Sequence, residues 1–178
     1  MALSLKAVQD AKFKRVVMPY VEYGFNLALS LLQNRSDAED AIQEASVKAY
    51  QSVWQLRGED SRAWFLRIVR NECMNILRTR SQARGKELSF DDEIEVVDQR
   101  TPNPVEVAEG NWTRAAMNEA IGKLSIGLRE VLVLREIEGL SYQQIAEVTG
   151  TPIGTVMSRL SRARTALLNQ LSGGETCP

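Results

Sequence analysis

The sequence predicts an all-α protein of two small helical domains joined by an acidic linker. Three observations carry this. Apolar residues recur at helical spacing almost throughout the 178 residues, and no long stretch alternates polar and apolar as a half-buried strand would. Charge is segregated although the net is only −1: residues 11–84 carry 12 Lys/Arg against 8 Asp/Glu, residues 85–110 carry 2 against 8, and the remainder carries 8 against 7. The acidic block holds Pro102 and Pro104 and few helix signals, as a connector does. The domains expected are 1–84 and 112–171, with the linker at 85–111 and a tail at 172–178.

The elements follow in order. A first helix runs from Phe13 through Asn34, and Pro19 breaks or restarts it because proline has no N–H and clashes with the preceding turn. Ser36 followed by Glu39 fits a capping box, and the second helix extends to about Trp54. Gln55 to Asp60 is a loop, and Asp60 or Ser61 caps a third helix that reaches about Arg80. The linker reads either as a solvated tether or as a polyanionic segment that occupies a basic channel on a partner. Beyond it, Trp112 to Lys123 and Leu128 to Ile137 are helical, with Gly139 as a stop. Ser141 and Gln144 form a second capping box for a short helix ending at Gly150. Thr151 as N-cap and Pro152 at the first helical position start a last helix that runs to about Leu171.

Composition excludes several chemistries. There is no histidine, which removes Cys/His zinc sites and histidine-dependent triads, and neither a phosphate loop nor a nucleophile–base–orienter set is present. The chain is therefore expected not to be an enzyme and to carry no metal or cofactor. No run of 18 apolar residues occurs and the first residues are too polar for a signal peptide, so a cytoplasmic protein without membrane insertion is expected. Cys73 lies on an apolar helix stripe and Cys177 in the tail, and no disulfide is expected.

A short capped helix, a tight turn at Thr149 to Thr151 and a long helix make a helix-turn-helix. At about 100° per residue, Val156, Leu160, Ala163 and Leu167 form the stripe that faces the core. Thr155, Ser158, Ser161, Arg162 and Thr165 lie opposite, with Met157 and Arg159 at the flanks. Small hydroxyls let the backbone approach base edges, and Arg162 can donate two hydrogen bonds to guanine. Arg159, Arg164 and Arg135 suit phosphates. Residues Val133 to Arg164 then resemble region 4 of bacterial sigma factors of the extracytoplasmic-function group. The match is most specific in Gly139 to Tyr142, Ile145-Ala146, Gly154 to Val156, Ser158-Arg159 and Arg162 to Arg164. The resemblance implies binding of the minus-35 promoter element, with Arg135, Met157, Ser158, Ser161 and Arg162 as contacts. Ser125 departs from the family, which usually has proline there.

In the first domain, Asp40, Glu44, Lys48 and Gln51 share one helix face, while Ile42, Ala45, Ala49 and Val53 line a core face. Asp37 to Glu44 resembles region 2.2 of the same family, which implies that Asp37, Asp40, Gln43 and Glu44 dock on the β′ coiled coil of RNA polymerase. The third helix buries Phe65, Leu66, Val69, Cys73, Ile76 and Leu77 and turns Arg67, Arg70, Asn71, Asn75 and Arg78 outward. It resembles regions 2.3 and 2.4. This implies that the helix and the loop before it, with Arg57, bind the non-template strand of the minus-10 element and hold one extruded base. Trp64 falls off the buried stripe, where it either stacks on DNA or packs near Trp54. Asn75 stands where the family often has aspartate, and Ser46 where it often has an aromatic.

The resemblance spans both domains in order. It implies a sigma factor whose partners are core polymerase (β′ coiled coil and β flap), promoter DNA and an anti-sigma factor. Neither domain is basic enough to hold DNA tightly alone, so promoter binding is expected to need polymerase to join two weak sites. The competing reading is a sigma-like module that sequesters an anti-sigma factor without driving transcription. A simple helix-turn-helix repressor leaves Asp37 to Glu44 unexplained.

Overall fold

The computed structural model describes residues 2–58, 60–85 and 109–172. Most of the expected acidic linker, including Asp91, Asp92, Glu93 and Glu95, and the tail beyond residue 172 lie outside the described residues.

Helix α1 spans Ala2–Val16 and so begins well before the expected Phe13. Good helix formers and the lack of Gly or Pro allow this, and α1 is tied down by its contacts with the third helix of the chain. The Tyr50 hydroxyl donates to Asp10 at 2.6 Å, Gln9 donates to the Tyr50 carbonyl at 2.7 Å, and Phe13 meets Tyr50 edge-on at 5.5 Å between centroids. Pro19 interrupts the path as expected, leaving one 3-10 turn at Met18–Tyr20. Helix α2, Val21–Leu32, follows and is closed by Gln33 in the left-handed conformation, its N–H returning to the Leu29 carbonyl at 3.0 Å.

Helix α3 spans Arg35–Ser52, and its cap corrects the sequence reading. Asn34, in an extended conformation, accepts the Asp37 N–H at 3.1 Å, so Ser36 lies inside the first turn and is not the cap. Asparagine caps as well as serine does, and Glu39, expected to complete the box, pairs instead with Arg35 at 2.9 Å. The core face of α3 is a fully buried alanine stripe, Ala38, Ala41, Ala45 and Ala49, with Val53 beyond it and Ile42 partly buried. Such small residues let α3 approach its neighbours closely. Gly24 does the same from α2: a Cβ there would lie 3.0 Å from Ile42 and 3.1 Å from Phe65 and Val69.

After a 3-10 turn at Val53–Gln55, helix α4 spans Ser61–Ala83. Asp60 is its cap, accepting from Arg62 N–H at 2.9 Å and Ala63 N–H at 3.3 Å. Phe65, Leu66, Val69 and Cys73 are fully buried as expected. Met74 and Ala63 join them, and Ile76 and Leu77 are only partly covered.

In the second half, α5 spans Glu109–Gly122 and starts inside the segment expected as linker. Helix α6, Ile126–Leu132, widens into a π-helical turn at Val133–Ile137, where the Glu138 N–H reaches back to the Val133 carbonyl at 3.0 Å. Gly139 follows at φ +67, and the Leu140 N–H closes on the Leu134 carbonyl at 2.9 Å. Helix α7, Tyr142–Thr149, carries the expected capping box and ends at Gly150, whose φ of +68 suits a residue without Cβ. Helix α8 spans Ile153–Ser172. The Pro152 carbonyl accepts the N–H groups of Thr155 and Val156 at 2.9 and 3.1 Å, so Pro152 sits at the cap, where Thr151 was expected.

The two halves touch. α4 packs on α7, α2 packs on α6, and the buried apolar residues of both form one continuous cluster. Among the described residues no helix is long and apolar enough to cross a membrane, and no group of His, Cys, Asp and Glu could hold a metal ion.

Candidate nucleic-acid interface

Helix α8 presents the surface that its periodicity promised. Val156, Leu160 and Ala163 are at most 1% exposed, with Leu167 partly covered, so the opposite face points outward. Ser158, Ser161, Arg162 and Thr165 are exposed there, Thr155 is half-buried, and Met157 is 53% exposed. The Ser158 and Thr165 hydroxyls donate to the carbonyls of Thr155 and Ser161 at 3.0 and 3.1 Å, which folds them against their own helix and keeps the face low. The reciprocal Ser141–Gln144 cap, at 2.8 and 3.2 Å, fixes the start of α7, and the Thr149 hydroxyl donates to the Ile145 carbonyl at 2.8 Å in its last turn.

Two arginines of this region are anchored by their neighbours. Arg135 donates to the Leu140 carbonyl at 2.7 Å and lies over the Tyr142 ring, 4.9 Å from its centroid. Arg164 pairs with Glu136 at 2.5 Å across an exposed surface.

On α4, Arg67, Asn71, Asn75 and Arg78 are exposed on one side, and Arg57 is exposed in the preceding loop. Arg70, expected beside them, is set apart. Its Nε lies 2.6 Å from a carboxylate oxygen of Glu130 on α6, and its side chain is only 16% exposed. Trp64 is partly buried against the core, whereas Trp54 stays largely exposed beneath Lys12. Trp64 is thus a packing residue in this arrangement.

On α3, Asp40, Gln43 and Glu44 are exposed together. Asp37 differs from them: it is partly buried and ion-paired with Arg80 of α4. Lys48, expected on the same polar face, pairs with Glu72 of α4 at 2.7 Å.

Sequence reasoning missed the charged residues that join the halves. Arg129, 2% exposed, donates to the carbonyls of Gly122 and Leu124 in its own half and to those of Ser30 and Leu31 at the end of α2, the last two at 3.3 and 3.2 Å. Burial lowers its pKa to about 10, so it remains a cation at neutral pH. The next residue, Glu130, is fully buried. Burial raises its pKa, opposed by the Arg70 hydrogen bond and by the charges of Arg70 and Arg159. Arg62 at the start of α4 donates to the Glu138 carbonyl and stacks 4.3 Å from the Tyr23 ring centroid, and Gln144 donates to Asp60. The available signal was an Arg-Glu pair set inside an apolar run, Leu128 to Leu134, where unpartnered charges are rarely tolerated.

Comparison with known proteins bears on both halves. Residues 17–83 match the family model for sigma-70 region 2, and residues 114–167 match that for sigma-70 region 4. The chain is 34% identical over 177 residues to an ECF RNA polymerase sigma-E factor of Escherichia coli, covering 94% of this chain and 92% of that protein. It is 33% identical over 164 residues to an ECF RNA polymerase sigma-E factor of Haemophilus influenzae, covering 83% and 87%. Among solved structures, the sigma factor RpoE of Bartonella quintana, in complex with the anti-sigma factor NepR, superposes with a TM-score of 0.71 at 26% identity, covering 90% of this chain and 96% of that one. CnrH in complex with the cytosolic domain of CnrY superposes with a TM-score of 0.65 at 26% identity, covering 90% and 88%.

Proposed function

The chain belongs to the extracytoplasmic-function sigma factors of RNA polymerase, and from that premise we propose how its surfaces divide promoter recognition. Helix α8 enters the major groove of the minus-35 element. Arg162 reads a guanine there, Thr155, Met157, Ser158 and Ser161 line the approach, and Arg135 and Arg159 hold phosphates. The exposed face of α4, with Arg67, Asn71, Asn75 and Arg78, and the loop carrying Arg57 take the minus-10 strand after it separates. Stacking and phosphate contacts there offset the cost of extruding a base. Arg70, where it is free of Glu130, belongs to the same surface. Asp40, Gln43 and Glu44 dock on the polymerase, with Asp37 fixing the start of their helix. Residues 1–84 and 112–171 act as the two modules, joined by the acidic segment, and an anti-sigma factor restrains them in the cytoplasm.

The observation that carries this reading is the outward face of α8, low and hydroxyl-lined around Arg162, on a helix whose other side is locked into the core. A module that only sequestered an anti-sigma factor would not need Ser158, Arg159 and Arg162 at those positions. The test is run-off transcription with core polymerase and genomic DNA. New start sites that depend on the chain are expected, and their absence at every concentration would overturn the reading.

A further inference from the structure

The loop before α4, read above as receiving the extruded base, is pinned at both ends, and one pin comes from α1. At the far end Asp60 caps α4, accepting from the Arg62 and Ala63 N–H groups. At the near end the Leu56 side chain is buried, and the Leu56 carbonyl accepts a hydrogen bond from the Lys12 ammonium at 3.2 Å. The same ammonium lies 5.4 Å from the centroid of the Trp54 ring. Trp54 is 44% exposed, so the core does little to fix its ring, and a cation over its face supplies that restraint. Arg57 and Gly58 follow directly and are exposed, Gly58 at φ +66 with nothing within 4 Å of where a Cβ would lie.

We propose that Lys12 is a positioning residue for minus-10 recognition: it fixes the Leu56 carbonyl and the Trp54 ring, and thereby the direction in which Arg57 meets the separated strand. The inference rests on the reading of that loop given above. Helix α1 has other anchors. Gln9 donates at 2.7 Å to the Tyr50 carbonyl, in the last turn of α3, where a helix leaves its acceptors unused. The Tyr50 hydroxyl donates to Asp10 at 2.6 Å, and Phe13 packs edge-on against the same ring. These contacts stop at α3, whereas Lys12, about one turn along from Gln9, reaches past the 3-10 turn to the loop itself. Its charge suits the place. The helical run of α3 and the 3-10 turn ends at Gln55, and a cation beyond it complements the negative end of the run. A loop already held in its receiving shape loses less freedom when a base enters, so more of the binding is left to offset unstacking.

The test uses holoenzyme assembled from the full-length chain and core polymerase. The probes are fragments of a promoter mapped by run-off transcription, with the minus-10 non-template strand unpaired, either intact or with one base at a time replaced by an abasic residue. The parent is expected to lose most affinity at one position, that of the extruded base. Lys12→Met keeps the stem and removes the charge and the donor. It is expected to bind the intact strand about tenfold more weakly, and the strand lacking that base as the parent does. Lys12→Arg keeps cation and donor and is expected to recover most of the loss. Lys12→Gln, shorter and uncharged, is the second variant should Lys12→Met fail to fold, with the same loss expected. No loss on the intact strand, or a loss of equal size on intact and abasic strands, would overturn the positioning role, the latter by making Lys12 a phosphate contact or a brace of the fold. A loss that Lys12→Arg does not recover would overturn it too. A parent holoenzyme indifferent to every abasic replacement would overturn the minus-10 reading itself, and the role of Lys12 with it.

Discussion

Arg70 of α4 and Glu130 of α6, separated by 60 residues, form a buried ion pair with Nε 2.6 Å from the carboxylate. Removing the charge from one partner alone leaves the other desolvated, which typically costs about 3–5 kcal/mol, whereas replacing both by apolar residues is often neutral. Arg70→Met is therefore expected to lower stability in urea by up to that amount, limited by the free energy with which the halves dock. The double variant Arg70→Met, Glu130→Leu is expected to recover most of the loss. Equal destabilisation by the single and double variants would show that the pair does not couple the halves.

Arg162 is exposed at the centre of the outward face of α8. Arg162→Ala is expected to cost about 1–3 kcal/mol of discrimination at one base pair of the minus-35 element. The check is transcription from a promoter series mutated position by position, in which the variant should lose its preference at a single position. A uniform loss at every promoter would make Arg162 a phosphate contact.

Asp40 and Asp37 are expected to separate cleanly. Asp40 is exposed, so Asp40→Ala should weaken binding to core polymerase at every promoter and leave the melting temperature unchanged. Asp37 pairs with Arg80, so Asp37→Ala should lower the melting temperature as well. Titration of labelled chain with core polymerase, set beside thermal melts, distinguishes the two.

Ser125 caps α6 with φ −57, but its hydroxyl is buried and has no hydrogen-bond partner. Proline favours that φ and would remove the orphaned hydroxyl. Ser125→Pro, the residue the family usually carries there, is expected to raise stability by about 0.4–1 kcal/mol through the unfolded state alone. A lower melting temperature would mean that the Leu124–Ser125 segment cannot accept the ring.

Cys73 is fully buried, and burial, assisted by the nearby Glu130 and Glu72 charges, pushes its thiol from 9.0 up to about 12. The unfolded chain therefore loses this proton first, and the stability associated with the protonated thiol is present below pH 9 and lost as pH rises towards 12. At about 1.4 kcal/mol per unit, roughly that amount should be gone by pH 10. The Cys73→Ala variant, though less stable at neutral pH, should have a shallower slope between pH 9 and 10, measured by urea denaturation. Parallel slopes would contradict the burial-driven shift.

Much of the fold could be read from the chain because its causes are local. The Pro19 break, the Asp60 cap, the Ser141–Gln144 box and the Gly150 stop depend on groups a few residues apart. The Val156, Leu160 and Ala163 stripe is legible for the same reason, and it places Arg162 on the outward face. Where two local solutions compete, the local pattern does not choose between them: Asn34 and Ser36 both cap well, and Asn34 is the cap, accepting the Asp37 N–H. Only the tertiary structure placed Arg70 on Glu130, Asp37 on Arg80 and Arg129 on the carbonyls of α2. Periodicity tells which face a side chain takes, but a pairing across 60 or 98 residues depends on how separate helices pack. The faces turned outward on α3, α4 and α8 were thus legible in the sequence, and the pairing of Arg70 with Glu130 was decided by the packing of the two halves.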